Sequence, residues 1–291
     1  MLPGIVGSSV SQINLLFDTL LASFLVTGSV SWLYYADRLV EFPLGIFGIA
    51  LGTVILPVLS RAHASESMAE FSRTLDAGLR WVLLIGLPAA VGLVLLARPA
   101  IATLFQYDDF GAHDVDMAGL ALVAYGFGLP GFMLVKVLAP AFYARQDTRT
   151  PVGIAIRAMI SNMVMNVLFV VPMLLLKVPG AHAGLALATA LAAYVNAMLL
   201  YRRLRRDGVY QPAGGWPRLL LQMSVALGVM AGVILWGVPG ISVWSALSGW
   251  QRGGQIALWV VTGAASYLLA LRLLGVRLSV LWAPASAVRG A

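Results

Sequence analysis

The chain has 291 residues, 60% of them hydrophobic and 11% charged, with a net charge of +7 and a mean hydropathy of +0.89. A soluble domain of this length carries about 25% charged residues, so apolar surface on this scale needs lipid rather than a soluble core to cover it. The basic balance does not indicate nucleic acid, because no basic patch is interleaved with stacking aromatics and most cations sit between hydrophobic runs, where they orient helices.

Runs of about 20 apolar residues, the length that crosses a bilayer, recur eight times along the chain. They are Gly4–Val26, Ser31–Leu59, Trp81–Ala97, Met117–Tyr143, Thr150–Leu176, Ala183–Leu204, Leu219–Val238 and Gln255–Leu274. The opening MLPGIVGSSV has neither a basic n-region nor a cleavage site, so no signal peptide is read there. The first span is the least hydrophobic, with Ser8, Ser11, Gln12, Asn14 and Asp18 inside it. Asp18 is an intramembrane carboxylate that needs a partner, and Asn14 one turn earlier is only a weak one.

The second span holds the most informative stretch, WLYYADRLVEFPLGIFGIALGTVILPVLSR from Trp32 to Arg61. A charged group at bilayer depth costs at least ~2.5–3.5 kcal/mol, so Asp37, Arg38 and Glu41 must face a protein interior or a water-filled cavity. On a helix, Tyr34, Asp37, Arg38 and Glu41 fall at i, i+3, i+4 and i+7 and share one face. Such a polar stripe on a greasy span is the expected signature of a transport pathway. The competing reading is a structural ion pair, Arg38 bonded to Asp37 or Glu41 and holding two helices together; for Tyr34 it is an interfacial aromatic anchor. Pro43 and Pro57 mark kinks in this helix. Gly48-x-x-x-Gly52, preceded by Gly45, gives a smooth face for a neighbouring helix, or a bend.

After the second span, Ser67-x-x-Glu70 reads as a capping box. Met68, Phe71, Leu75 and Leu79 recur at helical spacing, so a short amphipathic helix is expected on the membrane surface, leading into the third span. The loop before the fourth span is acidic, with Asp108, Asp109, Asp114 and Asp116. Gly126, Gly128, Pro130, Gly131 and Pro140 suggest that the fourth span is bent. Lys136 and Arg157 lie near span ends and are read as snorkelling to the interface. Arg145, Asp147 and Arg149 form a loop that either pairs internally or receives headgroups.

On the fifth span, Asn162 and Asn166 present two amides on one face, and Thr189 sits at comparable depth on the sixth. With Asp18 these make an oxygen cage suited to a hard monovalent cation such as Na⁺. The alternative is plain interhelical hydrogen bonding, worth ~0.6 kcal/mol per bond. The cluster Arg202–Arg206 fixes topology and touches anionic membrane lipid.

Enzyme chemistry finds no support, and no cofactor is indicated. His63, His113 and His182 have no partner at metal-ligand spacing, cysteine is absent, and there is no phosphate-cradling glycine loop with Lys-Ser/Thr. Uphill transport would then draw on an ion gradient or on membrane potential, worth ~2.3 kcal/mol per charge per 100 mV.

Arg61, Arg73, Arg80, Arg145, Arg149, Arg202, Arg203, Arg205, Arg206, Arg218, Arg272, Arg277 and Arg289 all fall in connections on one side. The opposite connections hold only Arg98, Lys177 and Arg252. Positive charge stays in the cytoplasm, so both termini are expected there and the acidic loop outside.

ADRLVEFPLGIFGIALGTVILPVLSR, from Ala36 to Arg61, resembles the eighth transmembrane helix of the MurJ (MviN) family. KVLAPAFYARQDTRTPV, from Lys136 to Val152, resembles that family's tenth helix and following loop, and GSSVSQINLLFDTLLASFL its seventh helix. The resemblance covers essentially the whole chain. It implies an all-α polytopic protein of the bacterial inner membrane that flips lipid II, the undecaprenyl-pyrophosphate-linked peptidoglycan precursor. The family belongs to the multidrug/oligosaccharidyl-lipid/polysaccharide (MOP) exporter superfamily and has two six-helix lobes followed by two extra helices.

The resemblance begins at the seventh helix. Residues 1–206 are then expected to form the second six-helix lobe, and 207–291 the two additional helices and a cytoplasmic tail. An amino-terminal lobe, with its cavity arginines, becomes a required partner, and the chain is expected to be incomplete without it. Arg38, Asp37, Glu41 and Tyr34 become cavity residues toward the pyrophosphate. Some family members are similar in having a sodium site on the helices that carry Asp18, Asn162, Asn166 and Thr189. Asn166 stands here where they have an acid. The readings that compete are an exporter of another polyprenyl-linked glycan or a drug, and a non-transporting scaffold for cell-wall synthesis proteins.

Overall fold

A computed structural model describes residues 2–276, apart from the side chains of 2–9, 11, 49–52 and 245; Arg277 and Arg289, used in the orientation argument, lie outside the described residues. The ten helices are α1 (Leu2–Ser23), α2 (Ser29–Ala64), α3 (Met68–Leu95), α4 (Ala97–Phe105), α5 (Ala112–Tyr143), α6 (Arg149–Leu175), α7 (His182–Arg206), α8 (Trp216–Gly237), α9 (Ile241–Ala246) and α10 (Gly249–Leu273). Six of them, α3, α5, α6, α7, α8 and α10, are long and apolar enough to cross a membrane, and α2 makes a seventh if its two arms count as one bent span. The eighth span expected from the sequence corresponds to α1, whose 22 residues extend ~33 Å, enough for a bilayer. The chain is a multi-pass membrane protein.

α5 is the axis of the lobe, packing against α7, α2 and α3, while α6 lies on α7 and α1 is held mainly by α6. α5 is assigned as one helix from Ala112 to Tyr143, running on through Pro130 and Pro140. Its glycines serve close approach. A Cβ on Gly128 would stand 2.6 Å from the Cβ of Ala190, and one on Gly131 would meet the α7 backbone at Tyr194 N at 3.2 Å. α7 answers with alanines buried along the contact, among them Ala186, Ala190 and Ala193. Small residues on both helices let the backbones draw together where no hydrophobic drive exists between helices in lipid.

A bend is present in α2, whose arms Ser29–Gly48 and Thr53–Ala64 meet at 41°. It falls across the glycine motif rather than at Pro43 or Pro57. A Cβ on Gly45 would meet nothing within 4 Å, and one on Gly48 would make ordinary contacts with Lys136 Cγ at 3.5 Å and with Leu44 Cδ1 of its own helix at 3.6 Å. Neither glycine is thus pressed against the backbone of a neighbouring helix.

Three further expectations change at α3 and α4. The amphipathic surface helix and the third span are one continuous helix of 28 residues. Ser67 sits at its N-cap position, but its side chain makes no capping hydrogen bond, so the capping box is not formed. The span then ends at Leu95, and Pro99, which has no N–H to donate, falls in the first turn of a new helix. That new helix, α4, was not legible as a separate element. The short α9 docks on α4 through the fully buried Trp244, whose indole Nε1 donates to Thr103 Oγ1 at 3.0 Å. Arg252, 8% exposed, fastens α10 to the same place by donating to the Ala102 carbonyl at 3.1 Å. α8 and α10 pair with each other over a second apolar core of Met223, Met230, Ile234 and Leu271 that reaches Leu84 on α3.

Candidate functional site

A chain of polar groups joins α1, α6 and α7. The amide of Asn166 donates to Asp18 Oδ1 at 2.6 Å and to Asn162 Oδ1 at 2.9 Å. Asn162 donates to Thr189 Oγ1 at 3.1 Å, and Thr189 donates on to Asp18 Oδ2 at 3.2 Å. Asn14 adds a donor to Asp18 Oδ2 at 3.2 Å. All four residues singled out from three separate spans, Asp18, Asn162, Asn166 and Thr189, therefore meet. Asn162 and Asn166 are almost completely buried. Two carbonyl oxygens, Asn166 Oδ1 and Asn14 Oδ1, are buried without a hydrogen-bond partner. A buried acceptor left unmatched costs ~1–3 kcal/mol, and a cation is one species that satisfies it. The donor set is all oxygen with a single carboxylate, which suits a monovalent ion rather than a divalent one.

On α2, Arg38 and Glu41 form an ion pair at 2.6 Å with about half of each side chain exposed. The guanidinium lies over the Tyr34 ring, 4.9 Å from its centroid, and Tyr34 is itself 54% exposed. Arg38 stands nine residues into α2, ~14 Å from the start of a 36-residue helix that extends ~54 Å. The pair joins neighbours on one helix and so does not hold two helices together. Asp37 turns toward the lobe interior and is half-buried. The buried Tyr125 of α5 lies within electrostatic reach of both Asp37 and Asp18. Tyr125 carries no signal in sequence beyond being an aromatic in an apolar run.

A third cluster, centred on Asp76, was not read from the sequence. Asp76 is 4% exposed and accepts from Tyr210 Oη at 2.7 Å, Trp216 Nε1 at 2.8 Å, Ala213 N at 3.2 Å and Arg80 Nε at 2.7 Å. Arg80 also donates to the Gly214 carbonyl at 2.8 Å and stacks over Trp216. The Tyr210 phenol is pushed up by its burial and by the carboxylate it faces. The cluster ties the 207–215 connection, and with it the start of α8, onto α3. The available signal was an acid four residues before Arg80, flanked by the apolar Leu75 and Leu79.

The histidines are less isolated than their spacing suggests. The Trp32 ring lies 4.9 Å from the His182 ring and 5.7 Å from that of His113, and its Nε1 donates to Asp114 at 2.8 Å. His182 Nε2 contacts the Met117 carbonyl at 2.9 Å. This knits the start of α2 to α5 and α7. Among the described residues, no three His, Asp or Glu side chains are grouped to hold a metal ion. Lys136 and Arg157 are both exposed on their spans.

The family model for the lipid II flippase MurJ matches residues 1–248. A relative named probable lipid II flippase MurJ, from Vibrio cholerae serotype O1, is 47% identical over 278 residues, 96% of this chain and 52% of the relative. A relative named lipid II flippase MurJ, from Burkholderia cenocepacia, is 46% identical over 236 residues, 81% of this chain and 44% of the relative. The chain thus spans about half the length of the curated relatives it matches. Among solved structures, lipid II flippase MurJ in an inward closed conformation superposes with a TM-score of 0.75 at 25% identity, covering 92% of this chain and 52% of the other. An outward-facing multidrug resistance MATE family transporter of the MOP superfamily superposes with a TM-score of 0.57 at 18% identity, covering 93% and 62%, a likeness of fold. A polar network across three helices, an exposed charged stripe on a candidate span, and these matches lead to one conclusion: the chain belongs to the lipid II flippase MurJ family.

Proposed function

We propose that this chain supplies the carboxy-terminal lobe and two additional helices of a transporter that moves lipid II across the bacterial inner membrane by alternating access. The single observation that carries the reading is the exposed Arg38–Glu41–Tyr34 face on α2. A guanidinium and a carboxylate half exposed on a candidate span are not packed in the core of this chain, and lipid would penalise both. An aqueous cavity shared with an amino-terminal lobe gives them a place. There the planar donor fork of Arg38 matches pyrophosphate oxygens, and Glu41 competes for the same fork, so that substrate is released when the pair re-forms. The arginine bias sets both termini in the cytoplasm. Cell-wall synthesis proteins belong to this reading only as neighbours that make or consume the lipid.

Asp18, Asn162, Asn166 and Thr189 would hold Na⁺, with the two unmatched amide oxygens as further ligands. A bound cation supplies a charge that links transport to an ion gradient. The chain's own part is to hold α1 against α6 and α7 through this network, so that ion occupancy biases where α1 sits. Membrane potential acts on the same charged groups.

The test is complementation. Cells depleted of their own flippase receive the chain alone, or the chain together with an amino-terminal half from a family member, while accumulated lipid II is measured. Rescue is expected only for the pair, and is expected to disappear with Arg38→Gln. Rescue by the chain alone, or by the paired Arg38→Gln variant at wild-type level, overturns the reading.

A further inference from the structure

Away from the site described above, α6 and α7 border an open cavity of about 400 Å³ at the arginine-rich end of the lobe. On α6, Arg149, Gly153 and Arg157 stand at i, i+4 and i+8, one row along the helix. On α7, Arg202, Arg203 and Arg206 line the same space, so five arginines border one small cavity. Among the described residues, only Arg203 of the five is in an ion pair, with Asp207 at 3.1 Å. The start of α6 at Arg149 adds the positive end of a helix dipole. Gly153 leaves the floor open, since a Cβ there would meet nothing within 4 Å. Like charges this close repel, and topology signalling needs only that arginines occupy the loops, not that they converge on a shared cavity from two helices.

We propose that this cavity is a binding site for a phosphate group, clamped between the ends of α6 and α7. Planar forks from two sides suit the tetrahedral oxygens of a phosphate, and the volume admits a phosphate with its first ester atoms. The position at the ends of two spanning helices puts the phosphate of an anionic phospholipid within reach. A soluble phosphate has the same chemistry. Occupancy joins the two helices across their mutual repulsion and fixes the end of the lobe on which the α7–α8 connection begins. The site is independent of Arg38 and of the Asp18 network.

The test uses the full chain in neutral detergent, titrated separately with phosphatidylglycerol, with phosphatidylcholine and with inorganic pyrophosphate, reading equilibrium binding and the thermal midpoint. Saturable binding of phosphatidylglycerol but not phosphatidylcholine is expected. Replacing Arg157, Arg202 and Arg206 together by Gln is expected to weaken it by about a hundredfold. Gly153→Leu, which changes no charge, is expected to weaken it at least about tenfold by filling the floor. A control with the same loss of charge, Arg61→Gln with Arg73→Gln and Arg205→Gln, all exposed and outside the cavity, is expected to bind within about threefold of wild type. Pyrophosphate binding with the same dependence on these positions also supports the site and identifies a soluble occupant. Equal losses in the two triple variants, unaltered binding by Gly153→Leu, or no position-dependent binding of either phosphate source overturns the proposal.

Discussion

Asn166 donates to Asp18 at 2.6 Å across a sequence separation of 148 residues, while its own carbonyl oxygen stays buried and unmatched. Both amide hydrogens of Asn166 are committed, one to Asp18 and one to Asn162, so the unmatched oxygen cannot be relieved by a small rotation. A cation among these groups reverses the preference, because amide oxygens then turn inward. Thermal stability in detergent is therefore expected to rise with NaCl but not with choline chloride, by RT ln(1 + [Na⁺]/Kd). Asp18→Asn is expected to lower stability by ~1–2 kcal/mol and to abolish the sodium dependence. Asn166→Asp places two carboxylates together, and its stability is expected to fall without sodium and to recover with it. A flat response to sodium in all three proteins would remove the ion from the mechanism.

Arg38 offers the opposite behaviour. Its ion pair with Glu41 is half exposed on one helix, and such pairs contribute ~0–1 kcal/mol. Arg38→Ala is expected to leave the thermal midpoint within the range of ordinary surface changes, ~0.5 kcal/mol, and yet to fail in two-lobe complementation. Arg38→Lys keeps the charge and the stability but loses the planar fork, and is expected to complement only partly. A full stability loss in Arg38→Ala would make the residue structural.

How much of this was legible depended on the range of the forces involved. Asp18, Asn162, Asn166 and Thr189 stood out because polar groups in lipid must find each other, whatever the sequence distance. The stripe from Tyr34 to Glu41 followed from helical periodicity alone. Whether a glycine stretch bends or packs stayed open, because glycine and proline serve both kinks and tight packing. Only the partner surface decides which, and Ala190 opposite Gly128 lies 62 positions away. Asp76 eluded it because an acid near a span end reads as solvated unless its acceptor geometry is known. Its partners Tyr210 and Ala213 come from a connection with no periodic signal, and Trp216 is the first residue of α8.

Asp76 should be among the most sensitive positions in the chain. It accepts four hydrogen bonds while nearly buried, one of them from Arg80. Asp76→Ala leaves that guanidinium without its carboxylate and strands the indole and phenol donors, a loss of ~3–5 kcal/mol. The expected sign is a large fall in thermal midpoint, with new protease cleavage in residues 207–215 as the connection leaves α3. Tyr210→Phe removes a single donor and is expected to cost ~1 kcal/mol without exposing the connection.

Asp147 gives a pH dependence. Partial burial raises its carboxyl, but hydrogen bonds from the Thr150 side chain and backbone, and the nearby Arg145 charge, outweigh this and hold it below the usual carboxylate range. A carboxyl depressed by folding stabilises at pH above its unfolded value, and that contribution is lost as pH falls through the folded value. The bond from Thr150 N to Asp147 at 3.0 Å also satisfies an open donor at the start of α6. Acid titration from pH 6 downward should therefore flatten in Asp147→Asn relative to wild type, measured as the difference in thermal midpoint at each pH. Parallel curves would show that the carboxylate does not contribute.

The glycines separate packing from bending most directly. At Gly128 a new Cβ would lie 2.7 Å from the Cα of Ala190, a backbone atom that cannot rotate away. Gly128→Ala must push α5 and α7 apart, and overpacking of this kind costs ~1–3 kcal/mol. At Gly45 a Cβ meets nothing within 4 Å, so Gly45→Ala gains helix propensity with no clash and is expected to stabilise by ~0.5–1 kcal/mol. One substitution of the same chemistry, in two helices of the same lobe, thus carries opposite signs. A stiffer α2 also opposes the 41° bend between its arms. If alternating access uses that bend, Gly45→Ala is expected to be the more stable protein and the slower transporter, measured by thermal midpoint and by complementation rate in the two-lobe assay. Greater stability with unchanged transport would confine the bend to a static feature of the fold.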